Sequence, residues 1–363
     1  MTEAFPTVRT LGIETSCDET AVAVLGPDGR VEVNELASQV AAHSPYGGVV
    51  PELASREHLR ALPPLVRRAL DTAAGPVEAV AVTAGPGLMG ALLVGVRFAA
   101  AFAWGRQLPL TAVDHLHGHL VSPFLDLGGA PARPMPERAL ALVASGGHSS
   151  WYLLLAGEAR RLGRTRDDAA GESFDKVAQV LGLPYPGGPV VDRLARGGDP
   201  AAVPLPRVRL KDAPHDFSFS GLKSAAIRWI RDRGLAGAGA GVEVGPEVVN
   251  LLAAFQAAVV DQLLAPAEAL IAEHRPELVT VSGGVAANSL LRRRMTELGQ
   301  STGLEVLLPP LALTTDNAAM IARAGQLAHA RGRLADPRRL DAHARRAWQP
   351  PGMRALSERP ELG

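Results

Sequence analysis

Short apolar segments that end in small or glycine-rich turns recur in both halves of this 363-residue chain, and most are followed by a segment with helical spacing. In the first half, the apolar segment 77–82 leads to the turn at Gly85-Pro-Gly87 and then to an apolar helix. In the second half, segments 139–144 and 278–281 each lead to a Ser-Gly-Gly turn. Short buried strands that alternate with helices are typical of helices packed on mixed sheets. The sequence therefore predicts an α/β fold.

The composition restricts the class of protein. Charged residues make up 20% and apolar residues 47% of the chain, a globular balance that excludes a disordered or fibrous protein. The 37 basic and 37 acidic residues give zero net charge, which excludes a strongly basic nucleic-acid module but not a local basic patch. Aromatic residues, at 4%, are too few for base stacking to be the main means of binding.

The cellular location is predicted from cysteine usage and hydropathy. The single cysteine, Cys17, rules out an intrachain disulfide framework and favours a reducing compartment. The N-terminal residues have no apolar core of signal-peptide length. The longest apolar stretch, around 88–104, is interrupted by Arg97 and is too short to span a bilayer. We expect a cytoplasmic protein that does not associate with a membrane.

The segment His115-Leu-His-Gly-His119 is the sharpest indication of a metal site. Histidines four residues apart lie on one face of a helix, so both imidazoles can bind one ion together with a carboxylate from elsewhere. His117 points away from this pair on an ideal helix. Zinc-peptidase helices carry glutamate directly after the first histidine, where this chain has Leu116, which counts against peptidase chemistry. The alternative is a polar, histidine-rich helix start that binds no metal.

The two Ser-Gly-Gly turns, at Ser145 and Ser282, suggest a phosphate-binding site. Glycine lets the backbone approach a phosphate, and free N–H groups at a following helix start bind the anion. Neither turn matches a Walker loop or the dinucleotide fingerprint, so a nucleotide site and two ordinary tight turns both remain open interpretations. The segment 217–223 is similarly read either as a polar loop at such a site or as an ordinary loop with two core phenylalanines.

Ten short segments, taken together and in order, match a known family. They are 11–20, 51–56, 83–88, 115–119, 145–148, 168–176, 185–188, 217–223, 282–288 and 315–320. They resemble the TsaD family, the bacterial tRNA threonylcarbamoyladenosine transferases, which are related to the archaeal and eukaryotic Kae proteins. The resemblance extends over residues 8–330, nearly the whole chain.

The resemblance implies a two-lobed, actin-like and sugar-kinase-like ATPase fold with an active cleft between the lobes. We expect an N-terminal lobe over 1–138, a C-terminal lobe over 139–320, and a C-terminal helix and tail over 321–363 that packs back on the first lobe. The implied reaction transfers a threonylcarbamoyl group from threonylcarbamoyl-AMP to N6 of adenosine 37, in tRNAs that read codons beginning with A. AMP is released.

The resemblance also implies the site residues. His115, His119 and Asp316 match the family's metal ligands, and the metal is expected to be Fe²⁺, with Zn²⁺ and Mn²⁺ as alternatives. Asp18 matches an essential acidic residue in the first turn, to which we assign either the proton transfer or the orientation of the attacking amine. One departure is His117, where the family often has glutamate. The residues that match the family's binding site for the adenylate, AMP or ATP are Ala144, Ser145, Gly146, Gly147, His148, Asp175, Gly188, Asp192 and Asn288.

The implied partners are tRNA, an inactive TsaB-like paralogue and a TsaE-like P-loop ATPase. Phosphate contacts need clustered cations, and several clusters are available despite the neutral net charge. The alternative functions are a metallopeptidase, a small-molecule phosphotransferase on the same fold, and a non-catalytic scaffold, which would not need the histidine pair and Asp316. The candidate cations for tRNA are Arg207, Arg209, Lys211, Arg292, Arg293, Arg294, Arg338, Arg339, Arg345 and Arg346.

Overall fold

The computed structural model describes residues 8–240 and 244–344, which form two five-stranded mixed sheets flanked by helices. This agrees with the α/β prediction. The strands are β1 (Thr10–Glu14), β2 (Glu19–Leu25), β3 (Val31–Ser38), β4 (Ala79–Gly85), β5 (Leu110–Asp114), β6 (Arg138–Ala144), β7 (Ser149–Leu155), β8 (Glu158–Arg164), β9 (Leu278–Ser282) and β10 (Glu305–Leu307).

The helices lie between the strands and after them. They are α1 (Val40–His43), α2 (Pro51–Thr72), α3 (Met89–Arg106), α4 (His115–Val121), α5 (Ala170–Val180), α6 (Gly187–Ala195), α7 (Ser220–Asp232), α8 (Pro246–Leu264), α9 (Ala267–His274), α10 (Ser289–Thr302) and α11 (Ala318–Ala330).

The chain divides into two compact units. Unit 1 comprises the described residues of Met1–Pro136, Gly157–Ala159 and Pro309–Gly363, and unit 2 comprises those of Glu137–Ala156 and Arg160–Leu308. Residues 309–320, which the sequence-based division assigns to the second lobe, lie in unit 1 because α11 packs on β1, β2 and β4. Residues 345–363 of the expected C-terminal tail lie outside the described residues.

In unit 1 the sheet has the order β3-β2-β1-β4-β5, with β2 antiparallel to both of its neighbours and β1, β4 and β5 parallel to one another. Successive side chains of a strand point to opposite faces. Val22 and Val24 of β2 therefore join the core formed with α2 and α3, while Ala21 and Ala23 pack with Ala318 of α11. Because helices cover both faces, β1 and β4 are buried throughout rather than alternately.

In unit 2 the sheet has the order β10-β9-β6-β7-β8. Strand β6 pairs parallel with β9, and Val143 lies opposite Ser282 in that register. Parallel neighbours end at the same edge of a sheet. The two Ser-Gly-Gly turns, which are more than 130 residues apart in sequence, therefore emerge side by side.

Three elements differ from what the sequence pattern predicts. The helical spacing of 51–74 predicts a helix that Pro63 and Pro64 kink or split, but α2 continues through both prolines, because its buried side chains pack against the sheet and outweigh the lost backbone hydrogen bonds. The apolar spacing of 248–274 predicts one long helix that tolerates Pro266, but the structure has two, α8 and α9, separated around Pro266. The reading of 217–223 as a loop is wrong from Ser220 onward, where α7 begins.

One helical stretch in the described part of the chain, Pro246–His274, is long and apolar enough to cross a membrane, and an 18-residue window within it has a mean hydropathy of 1.7. In the structure 67% of that window is buried inside the protein. Leu251, Phe255 and Val259 are among the side chains that it contributes to the core of unit 2. Burial in that core accounts for its apolar composition.

Candidate active site

Helix α4 brings His115 and His119 onto one face. The helix starts directly at the end of β5, where the Asp114 carboxylate accepts hydrogen bonds from the backbone N–H groups of Leu116 (2.8 Å) and His117 (3.1 Å). This N-cap fixes the first turn of the helix. The rings of His115 and His119 then lie 4.7 Å apart between centroids, at 83° to each other. The predicted four-residue spacing therefore places the two imidazoles side by side.

Asp316 reaches this histidine pair because α11 packs closely on α4. Gly118 makes the close approach possible, since a Cβ at this position would lie 2.8 Å from the Ile321 side chain. The Asp316 Oδ1 atom lies 3.1 Å from His119 Nε2 and 3.4 Å from His115 Nε2. One ligand atom from each of the three residues lies within 4.8 Å of the others.

The donor set and its charge fit a divalent metal ion. Two imidazoles and one carboxylate are ligands that iron, zinc and manganese share. A second carboxylate, Glu14, faces His115 from its Nδ1 side at 3.2 Å. Burial by itself lowers the pKa of His115, but Asp316 and Glu14 raise it well above its usual value. The pocket is thus strongly negative, and a cation can replace the proton that it attracts.

Glu14 is a site residue that the sequence reasoning missed. It ends β1, its side chain is fully buried, and its Oε2 atom accepts a hydrogen bond from Thr83 Oγ1 at 2.5 Å. Its Oε1 atom accepts from the Ser16 backbone N–H at 2.5 Å. Burial by itself raises the pKa of Glu14. The charge and the hydrogen bond of His115 together outweigh this effect, so the net shift of the pKa is downward. A lone acidic residue in an apolar strand is the signal that could have identified it, because a buried charge needs partners.

Asp18 lies in the turn between β1 and β2, and burial raises the pKa of its carboxyl group. The first glycine turn supports this segment. The Leu88 N–H donates to the Ser16 carbonyl oxygen at 2.8 Å, and a Cβ on Gly87 would lie 2.5 Å from that oxygen. The glycine turn at 85–87 therefore packs against the backbone of the Asp18 turn.

His117, the departure from the family pattern, is separate from the histidine pair. It lines a cavity whose walls include Arg331 and Arg333. Burial and these two arginines lower its pKa to about 4. His117 is therefore neutral at physiological pH and does not belong to the group of His115, His119 and Asp316.

In unit 2 the turn after β6 presents an open backbone. Ser145 N–H donates to the His148 carbonyl oxygen at 2.7 Å, which closes the turn, while a Cβ on Gly146 or Gly147 would meet nothing within 4 Å. The first turn of α5 packs against this turn, since a Cβ on Gly171 would lie 2.6 Å from the Ser145 carbonyl oxygen. Gly146 and Gly147 are exposed, so a ligand can approach their backbone.

The remaining predicted adenylate residues hold neighbouring backbone in place. The Asp175 carboxylate accepts from the Gly187 N–H at 2.7 Å, next to Gly188, whose Cα faces open space. The Asp192 carboxylate accepts from the Ser289 N–H at 3.0 Å and from its hydroxyl at 2.7 Å. Asn288 caps α10 by accepting from two backbone N–H groups. Asp192 and Asn288 thus meet at the start of α10.

Replacing Gly283 with alanine is expected to destabilise unit 2. Gly283 has φ +88°, and a Cβ there would overlap the Ala144 carbonyl oxygen at the end of β6. Strain of this kind costs of order 1–3 kcal/mol, measurable by urea unfolding. Gly284→Ala is the matched control, because its Cβ would meet nothing within 4 Å. Equal stability of the two variants would contradict the tight packing of the paired turns.

Some of the arginines proposed for tRNA lie together. Arg207, Arg209 and Arg294 line one surface cavity of unit 2. Arg207 donates to Asp261 at 3.0 Å, and Arg294 donates to the same carboxylate at 3.4 Å. Residues 345–346 lie outside the part of the chain that the structure describes.

Comparison with known proteins identifies the family. A family model described as TsaD, tRNA N6-adenosine threonylcarbamoyltransferase, matches residues 30–323. A curated relative with this name from Sorangium cellulosum is 50% identical over 337 residues, covering 90% of this chain and 93% of the relative. Another relative with this name, from Moorella thermoacetica, is 50% identical over 317 residues, covering 86% of this chain and 89% of the relative.

Solved structures support the fold. Full-length HypF, in its phosphate- and nucleotide-bound form, matches 91% of this chain and 56% of its own, with a TM-score of 0.56 and 13% identity. At this identity the likeness concerns the fold alone. The predicted α/β fold is confirmed, and the metallopeptidase and phosphotransferase alternatives are not favoured. The chain belongs to the TsaD family of tRNA N6-adenosine threonylcarbamoyltransferases and modifies an adenosine of tRNA at N6.

Proposed function

We propose that the donor is threonylcarbamoyl-adenylate and that the acceptor is the N6 amine of adenosine 37, in tRNAs that read codons beginning with A. The amine attacks the carbamoyl carbon and forms a C–N bond. The bond from that carbon to the phosphate oxygen breaks, AMP leaves, and the amine loses one proton. Because the donor is already activated, the protein needs to hold the phosphate, polarise the donor and remove this proton.

His115, His119 and Asp316 would hold one divalent metal ion, for which we propose iron, with zinc and manganese as alternatives. The convergence of both imidazole Nε2 atoms on Asp316 Oδ1 carries this proposal. Glu14 supports it by fixing the orientation of the His115 ring. When bound, such an ion polarises a phosphoryl or carbonyl oxygen of the donor.

The open turns of unit 2 would bind the AMP part of the donor. Gly146, Gly147 and Gly188 offer backbone that a phosphate or ribose can approach closely. Backbone N–H groups there would stabilise the negative charge on the departing phosphate. Asp192 and Asn288 use their polar atoms to fix the start of α10, so we assign them the support of this binding surface.

Asp18 would accept the proton from the attacking amine. An exocyclic adenine amine is neutral at pH 7, so its proton needs to leave only as the new bond forms. Burial raises the pKa of Asp18, which makes its carboxylate a better proton acceptor than an exposed aspartate.

We also propose the partners and the location. A TsaB-like paralogue and a TsaE-like P-loop ATPase would assemble with the chain in the cytoplasm. Exposed Leu36, Tyr46 and Leu59 on unit 1 are apolar groups that a partner could cover. Arg207 and Arg209 are candidates for contacts with tRNA phosphates.

The test is a transfer assay with the complete chain, the partner subunits, labelled threonylcarbamoyl-adenylate and unmodified tRNA. We expect the label to appear on tRNA and AMP to be released in equal amounts. A tRNA with guanosine at position 37 is the matched control and should stay unlabelled. Label on the control tRNA, or no label on either, would contradict the proposal.

A further inference from the structure

A chain of buried polar side chains runs through unit 1 and ends at the turn that carries Asp18. The Val50 backbone N–H lies 3.2 Å from His43 Nδ1, and His43 Nε2 lies 3.1 Å from Gln39 Oε1. Gln39 Nε2 lies 3.2 Å from His58 Nδ1, and His58 Nε2 lies 3.0 Å from the Cys17 carbonyl oxygen. His43 and His58 are fully buried, and Gln39 is 5% exposed.

The two ends of this chain determine the direction of every hydrogen bond in it. A backbone N–H can only donate, so His43 Nδ1 accepts and His43 Nε2 carries the hydrogen. The Gln39 oxygen then faces His43, and its NH₂ group donates to His58 Nδ1. His58 Nε2 therefore carries a hydrogen and donates to the Cys17 carbonyl oxygen, which can only accept.

This assignment requires both imidazoles to be neutral. A second hydrogen on His58 Nδ1 would face the NH₂ group of Gln39, and one on His43 Nδ1 would face the Val50 N–H, so two donors would meet in each case. Burial lowers the pKa of His58, which agrees with a neutral ring. Thr20 Oγ1, 2.8 Å from His58 Nδ1, is a further donor to the same acceptor atom.

The polar chain fixes the backbone on both sides of Asp18. His58 holds the carbonyl of Cys17, and the Gln39 backbone N–H donates to the carbonyl of Asp18 at 3.1 Å. On the preceding residue, the Ser16 hydroxyl lies 3.2 Å from His115 Nδ1. The turn is therefore anchored to the candidate metal residues at one end and to α2 at the other.

We propose that His58 is a positioning residue for the transfer reaction: its neutral imidazole, protonated on Nε2, holds the Cys17 carbonyl so that the Asp18 carboxylate meets the attacking amine. This inference rests on the proposed proton-accepting role of Asp18. It also accounts for the family-like segment 51–56 at the start of α2. This segment takes no part in the proposed metal and adenylate sites and ends two residues before His58.

Two substitutions separate positioning from simple packing. The amide of His58→Gln can place its NH₂ group where Nε2 stands and keep the donor to Cys17. The amide of His58→Asn reaches only the Nδ1 position, so it keeps the contact with Thr20 and Gln39 but leaves the Cys17 carbonyl without its donor. His58→Asn loses the hydrogen bond to the Cys17 carbonyl, and His58→Gln loses the two that Nδ1 accepts, so both variants should unfold at lowered temperatures and His58→Asn should not be the less stable of the two.

Transfer kinetics should differ between these variants. Displacing a reacting group by about 1 Å can cost up to 10²-fold in rate, so we expect kcat of His58→Asn to fall by about tenfold or more, with KM for tRNA and metal content unchanged. His58→Gln should keep kcat close to that of the wild type. Equal kcat for the two variants, whether high or low, would overturn the positioning role. Absence of transfer by the wild-type protein would instead refute the proposed function.

An independent measurement needs no activity. In ¹⁵N-labelled histidine NMR spectra at pH 7, the signals that disappear in His58→Gln should belong to a neutral ring protonated on Nε2. A ring protonated on Nδ1, or on both nitrogens, would contradict the hydrogen-bond directions and with them the inference.

Discussion

Replacing His115 with alanine will remove the bound metal ion and reduce threonylcarbamoyl transfer by about 10³-fold. Polarisation by a metal ion supplies several kcal/mol, and each 1.36 kcal/mol corresponds to about tenfold in rate. The loss of one imidazole leaves His119 and Asp316, which are rarely sufficient for a stable site. The measurement is elemental analysis of anaerobically purified protein, together with the transfer rate.

His117→Ala is the matched control for this experiment. It removes a half-buried imidazole from the same helix, two residues away, which lines the cavity with Arg331 and Arg333. We expect it to retain the metal content of the wild type. A His115→Ala protein that keeps its full metal content, or a His117→Ala protein that loses it, would show that the ion is held elsewhere.

Replacing Asp18 with asparagine will lower the transfer rate by about 10²–10⁴-fold, the usual contribution of a general base, and will leave the metal content unchanged. The base acts in its ionised form, so the wild-type rate falls as the pH drops through the pKa of Asp18. Burial raises this pKa, which moves the fall to a higher pH than for an exposed aspartate. The asparagine variant should lose this acid limb, as measured by kcat against pH.

Asp28→Asn controls for the loss of a carboxylate from unit 1, because Asp28 lies in the exposed turn after β2. Its rate and pH profile should match those of the wild type. Full transfer activity in Asp18→Asn with the metal still bound would end the assignment of Asp18 as proton acceptor.

Much of the local architecture could be predicted from the sequence. The apolar runs at 77–82, 139–144 and 278–281 are strands in the structure, as the α/β prediction requires. The spacing of His115 and His119 predicts that their rings share a helix face, and they do. These features depend on backbone periodicity and on residues within one helical turn, which the order of the amino acids specifies directly.

Burial outweighed local preference at several positions. Pro63 and Pro64 suggested a break in α2, but the packing of Leu62 and Leu65 keeps the helix continuous. Asp167, a loop residue, accepts from Ser220 and helps to start a helix that the sequence pattern did not reveal. Such outcomes depend on partners supplied by other parts of the chain.

The amino-acid sequence by itself determined the α/β class, the histidine pair and the family. The family resemblance implied Asp316 as a ligand, but only the tertiary structure shows how it meets His119 from 197 residues away, that Glu14 supports His115 from 101 residues away, and that His58 reaches the Asp18 turn. Contacts across such separations are set by which helix packs on which strand and by where glycines such as Gly118 allow close approach. No local periodicity encodes them, because their free energy comes from burial and hydrogen bonding that exist only in the folded chain.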